Sequence, residues 1–425
     1  MERFQVTADI AAKTGGYLAG FNRAQQDEPK PEIRIEVGRP GRSLSIYPAT
    51  AGYELQQELE FLSNRAIEPN VFFTGNFLAP AMPRLEDRVV KLAILRDFKE
   101  ESSRLRFLMP FSVERPGFAM GAPIIRAWSN PFGPLGVPLV DAEEASVTID
   151  NLLEALRDPK IGLPRILVLP DMRMKGKVAQ LVRAVAIGRN LPLTVTDAVQ
   201  RPMLESLLDG EAYLRNAISP QHFRELRRQW NKLEQMGRLT YTVARQPAEV
   251  RARLEDFLSL EASGWKGEER SALVMDRYRA AFTREAVTNL AEVDGVRIHT
   301  LNLDNKPIAA MVVFIMAGDA YTWKTAYDET YARYSPGKLL VAELTAWHLD
   351  DANILRTDSC AVPDHPVMSR LWEERDEIGS IVIGLDQNRD RDVRQVAAQL
   401  HLYRNTRNIA RLLREKIRAL SPSRR

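Results

Sequence analysis

The stretch from Ala320 to Asp364 constrains the fold most, because it joins a strand pattern, a tight turn and a helix pattern in direct succession. The opening run Ala-Tyr-Thr-Trp-Lys-Thr-Ala-Tyr-Asp alternates as a half-buried strand does. In the turn that follows, Pro336 fixes φ, Gly337 lets a ligand approach the backbone, and Lys338 adds a positive charge. Such a turn at a helix start can offer backbone N–H groups to a phosphate. From the spacing alone, an ordinary structural turn explains the pattern equally well.

The length of 425 residues predicts two domains, and 45% hydrophobic with 27% charged residues is typical of a soluble protein with a large core. No apolar run is long enough to span a membrane, and residues 1–9 lack the basic-then-apolar order of a secretory signal. We therefore expect a cytoplasmic protein, with peripheral contact to an inner membrane left open. The single cysteine, Cys360, excludes an intrachain disulfide and a multi-cysteine metal site, and we expect no bound metal.

Positive charge collects at the C-terminal end of the chain. Residues 387–425 hold 11 Lys and Arg against 3 Asp and Glu, although the whole chain carries a net charge of only +3. A basic helix there could contact nucleic acid, an anionic membrane or an acidic partner. A simple solvated helix face is the more ordinary explanation.

The chain divides into a leader, two α/β halves and a tail. Residues 1–32 are polar and predict a weakly ordered leader, residues 33–215 and 216–388 each alternate strand and helix patterns, and residues 389–425 form the basic helical tail. Gly176-Lys177 and Gly337-Lys338 each stand in the order strand, turn, helix, strand. That shared order predicts a diverged duplication of one α/β unit, with chance repetition of a dipeptide as the alternative.

The second half begins with a well-marked helix at residues 219–237. Ser219 is the expected N-cap, Pro220 the first helical residue, and Gly237 the stop. After two further helices, strands at residues 296–303, 308–317 and 321–327 are expected to form an antiparallel meander.

Four blocks in the second half resemble one family of enzymes. They are Glu261-Ala-Ser-Gly-Trp-Lys-Gly267, Trp323-Lys-Thr-Ala-Tyr-Asp-Glu329, Tyr334-Ser-Pro-Gly337 and Asp358-Ser-Cys-Ala-Val-Pro-Asp-His365. In this order they resemble GNAT-type acyltransferases of the CelD-like cellulose-biosynthesis group, relatives of the FemABX peptidyltransferases. The resemblance covers residues 219–384 and implies two tandem GNAT-like domains with mixed sheets flanked by helices, the second domain active and the first degenerate.

The resemblance also implies a place for the acyl donor. In a GNAT-like fold the pyrophosphate of acyl-CoA rests at the start of the helix after the fourth strand, which here implies Tyr334, Ser335, Gly337, Lys338 and Leu339. Acetyl-CoA or a longer acyl-CoA is the expected co-substrate. The usual GNAT glycine pattern is absent, so aminoacyl-tRNA, which some FemABX relatives use, stays open as the donor.

Acyl transfer to an amine needs a proton acceptor and a group that protonates the leaving thiolate. The candidates are Tyr327, Asp328, Asp358 and His365, with packing or helix capping as the alternative for His365. A lysine inside an apolar strand is costly to bury unpaired, so Lys324 is expected to meet Asp328 or Asp358 or an anionic substrate. Strand alternation places Trp323 and Tyr327 on one face and Lys324 on the other.

The acceptor side of the site is expected at Glu261, Trp265 and Lys266, together with Trp323 and Lys324. An aromatic anchor at a helix end explains Trp265 and Lys266 equally well. The expected activity is acyl-CoA-dependent N-acyltransfer to a small amine, such as an amino sugar or another cell-envelope or polysaccharide precursor. Aminoacyl transfer from tRNA ranks second, and a catalytically idle accessory protein that binds envelope or polysaccharide-synthesis proteins is the alternative from another class.

Overall fold

The computed structural model describes residues 29–86, 88–99, 102–117 and 121–420. Most of the expected leader, residues 1–28, lies outside the described residues, as do residues 421–425 of the tail. Within the described ranges, no helix combines the length and the apolar composition needed to cross a membrane.

The strands of the described residues join one mixed sheet of 14 strands. In chain order they are β1 (Ile33–Glu36), β2 (Arg42–Pro48), β3 (Val90–Lys99), β4 (Ser102–Glu114), β5 (Ile124–Ala127), β6 (Leu139–Val140), β7 (Ile166–Arg173), β8 (Leu193–Leu204), β9 (Leu239–Ala244), β10 (Val296–Leu303), β11 (Lys306–Met316), β12 (Asp319–Tyr327), β13 (Arg356–Asp358) and β14 (Glu374–Gly384).

Helices cover both faces of this sheet. In chain order the α-helices are α1 (Gln56–Arg65), α2 (Gly75–Leu85), α3 (Ala145–Ala155), α4 (Lys177–Gly188), α5 (Gly210–Ala217), α6 (Pro220–Glu234), α7 (Pro247–Ser263), α8 (Trp265–Glu268), α9 (Arg277–Glu292), α10 (Pro336–Asp350), α11 (Met368–Leu371) and α12 (Asp390–Leu420). The fold class predicted from the sequence, mixed α/β with a mixed sheet flanked by helices, is confirmed.

The sheet is continuous across the two halves because each half contributes one strand to the other. Its order is β1-β2-β3-β4-β5-β7-β14-β8-β13-β12-β11-β10-β9, with β6 beside β4. The late strand β14 therefore lies between β7 and β8, and β8 lies between β14 and β13. The parallel pairs β5–β7 and β12–β13 hold matching positions on either side of this exchange. This order supports the predicted duplication.

The apolar core also runs through both halves. Phe72 and Phe77 of the first half pack edge-on against Phe314 and Phe282 of the second, with ring centroids 5.2 to 6.3 Å apart. Tyr321 completes the contact with its ring centroid 5.4 Å from that of Phe72. Because these side chains are fully buried, the halves share one interior.

Most local signals of the second half are confirmed, but α6 ends at Glu234, before the expected stop at Gly237. Ser219 Oγ accepts a hydrogen bond from the N–H of His222 at 3.3 Å, and Pro220 is the first residue of α6. The meander β10–β11–β12 is antiparallel throughout. The helix α2 was missed, because Pro80 and Pro83 inside it argue against a helix from sequence.

Candidate functional site

The parallel strands β12 and β13 separate after a short pairing and open a crevice between them. Their register ends where Tyr321 meets Asp358, whereas β12 continues to Tyr327. Thr322 Oγ1 donates to the carbonyl oxygen of Ser359 at 2.8 Å, and the chain then turns through Cys360, whose φ is 50°. The far part of β12 thus has a sheet partner on one side alone. Crevices at the carboxyl ends of diverging strands are common ligand sites in α/β folds.

The turn predicted to bind the donor lies at the end of this crevice. Asp328 caps the short 3-10 helix Glu329–Tyr334 by accepting from the N–H of Thr330 at 3.0 Å, and Ser335 then adopts a left-handed φ of 53° before α10 begins. A Cβ placed on Gly337 would lie 3.4 Å from a ring carbon of Tyr327. The start of α10 is therefore packed directly against the end of β12.

The electrostatics of this turn favour an anion. The N-terminal end of the helix carries partial positive charge, and Lys338 adds a half-buried ammonium group. Burial, and then the neighbouring Arg370, lower the pKa of Lys338 despite the opposing effect of Glu225. The N–H groups of Lys338 and Leu339 both donate to Ser335, at 2.9 and 3.1 Å, so Gly337 supplies the free amide of the first turn.

A cleft opens on the other side of Tyr327. It is lined by the end of β12, the end of α7 and the segment that follows α7. Its residues are Leu260, Glu261, Gly264, Trp265, Lys266, Thr325, Ala326, Tyr327 and Glu329. Three of the predicted acceptor residues, Glu261, Trp265 and Lys266, are thus brought together with Tyr327.

Internal contacts fix the wall of this cleft. Glu261 is buried, accepting from Lys266 Nζ at 2.8 Å through one carboxylate oxygen and from the N–H of Leu273 at 2.8 Å through the other. Lys266 Nζ also donates to the carbonyl oxygen of Thr325 at 3.3 Å. The N–H of Trp265 donates to Glu329 Oε1 at 2.7 Å. The segment after α7 is therefore tied to both β12 and the donor turn.

The expected cluster of Lys324, Asp328 and Asp358 is not formed. Asp328 caps its own turn, with Lys306 Nζ 3.9 Å away, and Asp358 is paired elsewhere. Lys324 Nζ instead lies 4.6 Å from the ring centroid of Phe132, a residue of the first half. Phe132 was missed from the sequence, because nothing in its local pattern shows a contact almost two hundred residues away along the chain.

The face assignment along β12 was wrong for Trp323 and Tyr327. The register between β11 and β12 shifts at Val312 and Val313, so a β-bulge at Trp323 reverses the alternation beyond it. Trp323 packs in the core shared by the two halves, whereas Tyr327 packs against the second apolar cluster beneath α10. Trp323 Nε1 donates to the carbonyl oxygen of Phe132 at 2.8 Å, so it anchors the first half against β12.

Asp358 lies in a buried charge network between the halves. Its carboxylate is 3.2 Å from Arg201 Nη1 and 3.5 Å from Arg173 Nη2, and Arg173 also bonds Asp319 at 2.8 Å. Burial alone would raise the pKa of Asp358, but Arg201 and Arg173 hold it below its usual value. The group is 1% exposed, so its position suits an ion pair rather than a proton acceptor.

His365 and Cys360 have structural surroundings. His365 Nδ1 accepts from the N–H groups of Val367 at 3.3 Å and Met368 at 3.2 Å, which is the helix-capping role left open by the sequence. Burial lowers the pKa of His365. Desolvation, followed by the charge of Asp358, raises the pKa of the Cys360 thiol well above its usual value, so the thiol stays protonated.

Tyr327 is the predicted catalytic residue that borders both the turn and the cleft. Desolvation, and then Glu329, raise the pKa of Tyr327, so its phenol stays protonated at neutral pH. Glu329 itself lines the cleft. It stood inside a quoted sequence block without being singled out, because only the fold shows that its carboxylate reaches back to the segment after α7.

The turn at Gly176-Lys177 is not the counterpart of the turn at Gly337. It follows β7, whereas the turn at Gly337 precedes β13, and β7 and β13 hold matching positions in the sheet. The start of α4 is also occupied internally, since Glu68 accepts from the N–H of Val178 at 3.0 Å. The first-half counterpart of α10 is α3, because α3 precedes β7 as α10 precedes β13. The sequence pattern therefore pointed to the wrong helix of the first half.

The comparisons with known proteins agree with this geometry. Residues 220–356 match a family model described as an acetyltransferase (GNAT) domain. No curated protein matches the chain in sequence. Among the described residues, no three His, Cys, Asp or Glu side chains are grouped so that they could hold a metal ion.

Two solved structures share the fold over most of the chain. FemX aligns with a TM-score of 0.50 at 8% identity, covering 80% of this chain and 98% of its own. The C-terminal domain (DUF2156) of a proposed lysylphosphatidylglycerol synthetase from Agrobacterium fabrum also aligns with a TM-score of 0.50, at 11% identity, covering 81% of this chain and 95% of its own. At these identities the likeness concerns the fold.

Proposed function

We propose that this protein is an N-acyltransferase that moves an acyl group from acetyl-CoA or a longer acyl-CoA to an amine acceptor. The observation that carries the proposal is the position of Tyr327, which packs against Gly337 at the start of α10 and also lines the cleft. A donor at the helix start and an acceptor in the cleft would meet at this one side chain. The proposal includes two domains, residues 33–215 and 216–388, followed by the tail from residue 389.

The residues at the turn fit the phosphates of CoA. The Gly337 amide is free, and Lys338 with Arg370 nearby provides positive charge. Tyr334, Ser335 and Leu339 complete the turn, with Leu339 buried beneath it. When bound, CoA supplies the activated thioester carbonyl.

In the proposed reaction, the neutral amine attacks the thioester carbonyl, the new C–N bond forms, and the C–S bond breaks as the thiolate of CoA leaves. The Tyr327 phenol donates a proton to that thiolate. Glu329 accepts the proton lost by the amine, directly or through water. It takes the role that the sequence had suggested for Asp358 and His365. Asp328 holds the turn, and Glu261, Trp265 and Lys266 shape the acceptor cleft.

The acceptor class follows from the CelD-like resemblance: an amino sugar or another cell-envelope or polysaccharide precursor. Cytoplasmic action, with the basic helix α12 touching the inner membrane or polysaccharide-synthesis proteins, belongs to the same proposal. Aminoacyl-tRNA is the alternative donor. It stays open because the usual GNAT glycine pattern is absent around Gly337. An idle accessory protein would bind neither donor.

Replacing Gly337 by Val tests the proposed donor site. The added side chain would press on the Tyr327 ring, 3.4 Å from the new Cβ, and would block the approach of the phosphates. We expect CoA to bind at least tenfold more weakly, about 1.4 kcal/mol, by isothermal titration, with release of free thiol from acyl-CoA reduced in parallel.

The matched control is Gly188→Val at the end of α4, where an added Cβ meets nothing within 4 Å. It should bind CoA as the wild type does. A correctly folded Gly337→Val variant with wild-type affinity would remove the turn as the donor site. If the wild-type protein binds total tRNA but no acyl-CoA, the donor is aminoacyl-tRNA instead.

A further inference from the structure

Two cationic side chains share one aromatic ring beside the cleft. Lys324 Nζ lies 4.6 Å, and Arg279 Cζ 5.6 Å, from the ring centroid of Phe132. Within the described part of the chain, neither cation has a carboxylate oxygen within the 4.0 Å of an ion pair. Lys324 Nζ also lies 5.7 Å from the ring centroid of Trp323.

The charged groups around Lys324 do not neutralise its positive charge. Lys266 faces it from the segment after α7, but its ammonium group is already bonded to Glu261. Arg279 faces it from α9, and the protonated thiol of Cys360 faces it from the end of β13. Burial first, and then Lys266, lower the pKa of Lys324 to about 8 in spite of Glu261.

An uncompensated cation in a desolvated site is costly unless a ligand pairs with it. The ring of Phe132 gives a partial compensation, since a cation over an aromatic face gains about 0.5–2 kcal/mol. An anion lying between an ammonium and a guanidinium group gains charge-assisted hydrogen bonds from both. Lys324 and Arg279 therefore supply two positive charges beside the ring of Phe132.

The site is adjacent to the proposed acceptor cleft. Ala326 shares the core-facing side of β12 with Lys324 and lines the cleft, and Lys266 also lines it. Phe132, which is partly exposed, adds a flat apolar surface to the site. These neighbours link the two cations to the acceptor rather than to the donor turn at Gly337.

We propose that Lys324 and Arg279 form an anion subsite beside Phe132, and that the amine acceptor is an anionic amino compound whose phosphate or carboxylate binds there. The inference rests on the proposed acyl transfer for the role of this ligand, while the anion subsite itself depends only on the geometry. Only the protonated ammonium group of Lys324 attracts the ligand. Binding therefore weakens as the pH rises through about 8, the pKa of Lys324 in the free protein.

Paired ligands test the subsite by isothermal titration at millimolar concentration. Glucosamine 6-phosphate and muramic acid carry a phosphate and a carboxylate, respectively, and glucosamine carries neither. We expect at least one of the charged sugars to bind at least tenfold more tightly than glucosamine. Lys324→Met and Arg279→Met should each remove most of that preference, because Met keeps the apolar contact with Phe132 and deletes the charge.

Two controls separate this subsite from its surroundings. Arg277→Met, two residues from Arg279 with its guanidinium group over Tyr278 in solvent, should keep the preference. Gly337→Val should keep it also, since that change affects the donor turn. The subsite would be overturned if all three sugars bound equally or if neither charged sugar bound. It would also be overturned if the preference for the charged sugar survived in both Met variants.

Activity separates the two proposals from each other. Tight, Lys324-dependent binding of a charged sugar without thiol release from any acyl-CoA would leave the anion subsite in place and refute the transferase. Thiol release with glucosamine 6-phosphate or muramic acid that is unchanged in the Met variants would support the transferase and refute the subsite.

Discussion

A chain that begins at residue 216 will fail to fold into a soluble, active second half, although it keeps every proposed chemical group of the donor turn and the cleft. The deletion removes β7 and β8, so β13 loses its antiparallel neighbour and β14 loses both of its neighbours. It also exposes Phe282, Phe314 and Tyr321, which pack on Phe72 and Phe77. Each such side chain contributes roughly 1.5–3 kcal/mol by burial.

Solubility, far-UV circular dichroism and thiol release measure this outcome. Coexpression of residues 1–215 with residues 216–425 is the matched control, because the two pieces together can restore the exchanged strands. A soluble and fully active fragment 216–425 would show that the first half is dispensable and that the strand exchange does not support the site.

Replacing Asp358 by Asn will destabilise the folded protein by about 3–5 kcal/mol, the usual effect of breaking a buried ion pair. The change leaves Arg201 buried without a carboxylate partner and removes one of the carboxylates around Arg173. The side chain volume hardly changes, so the loss reports on charge. Equilibrium unfolding in urea measures it.

The control for Asp358 is Glu255→Gln on α7. Glu255 is an exposed carboxylate that pairs with Arg284 at 2.7 Å, and the unfolding midpoint should stay unchanged because solvent screens such pairs. Asp358→Asn with wild-type stability and reduced thiol release would return Asp358 to the catalytic role predicted from its sequence block.

Local features of the second half were predictable because their causes are local. The N-cap at Ser219, the meander of β10 to β12 and the Pro336-Gly337 helix start each depend on residues within a few positions of one another. The mixed α/β class follows from the same alternation of patterns. Such signals suffice to identify elements and their order.

The long-range features were not predictable, because their causes lie far apart in the chain. Arg173 and Asp358 are separated by 185 positions, and no spacing rule connects them. Phe132 reaches Lys324 only because the first half packs across β12. The bulge at Trp323 shifts the alternation by one residue, which is enough to move Tyr327 to the other face.

The central claim is that a CoA thioester binds at the start of α10 with its reactive end beside Tyr327. A crystal structure of the protein with a non-hydrolysable acyl-CoA analogue tests it most directly. We expect the pyrophosphate within hydrogen-bonding distance of the Gly337 amide, the pantetheine arm in the crevice between β12 and β13, and the thioester position next to the Tyr327 phenol. Density for the analogue at the start of α4, or anywhere else in the first half, would contradict the claim.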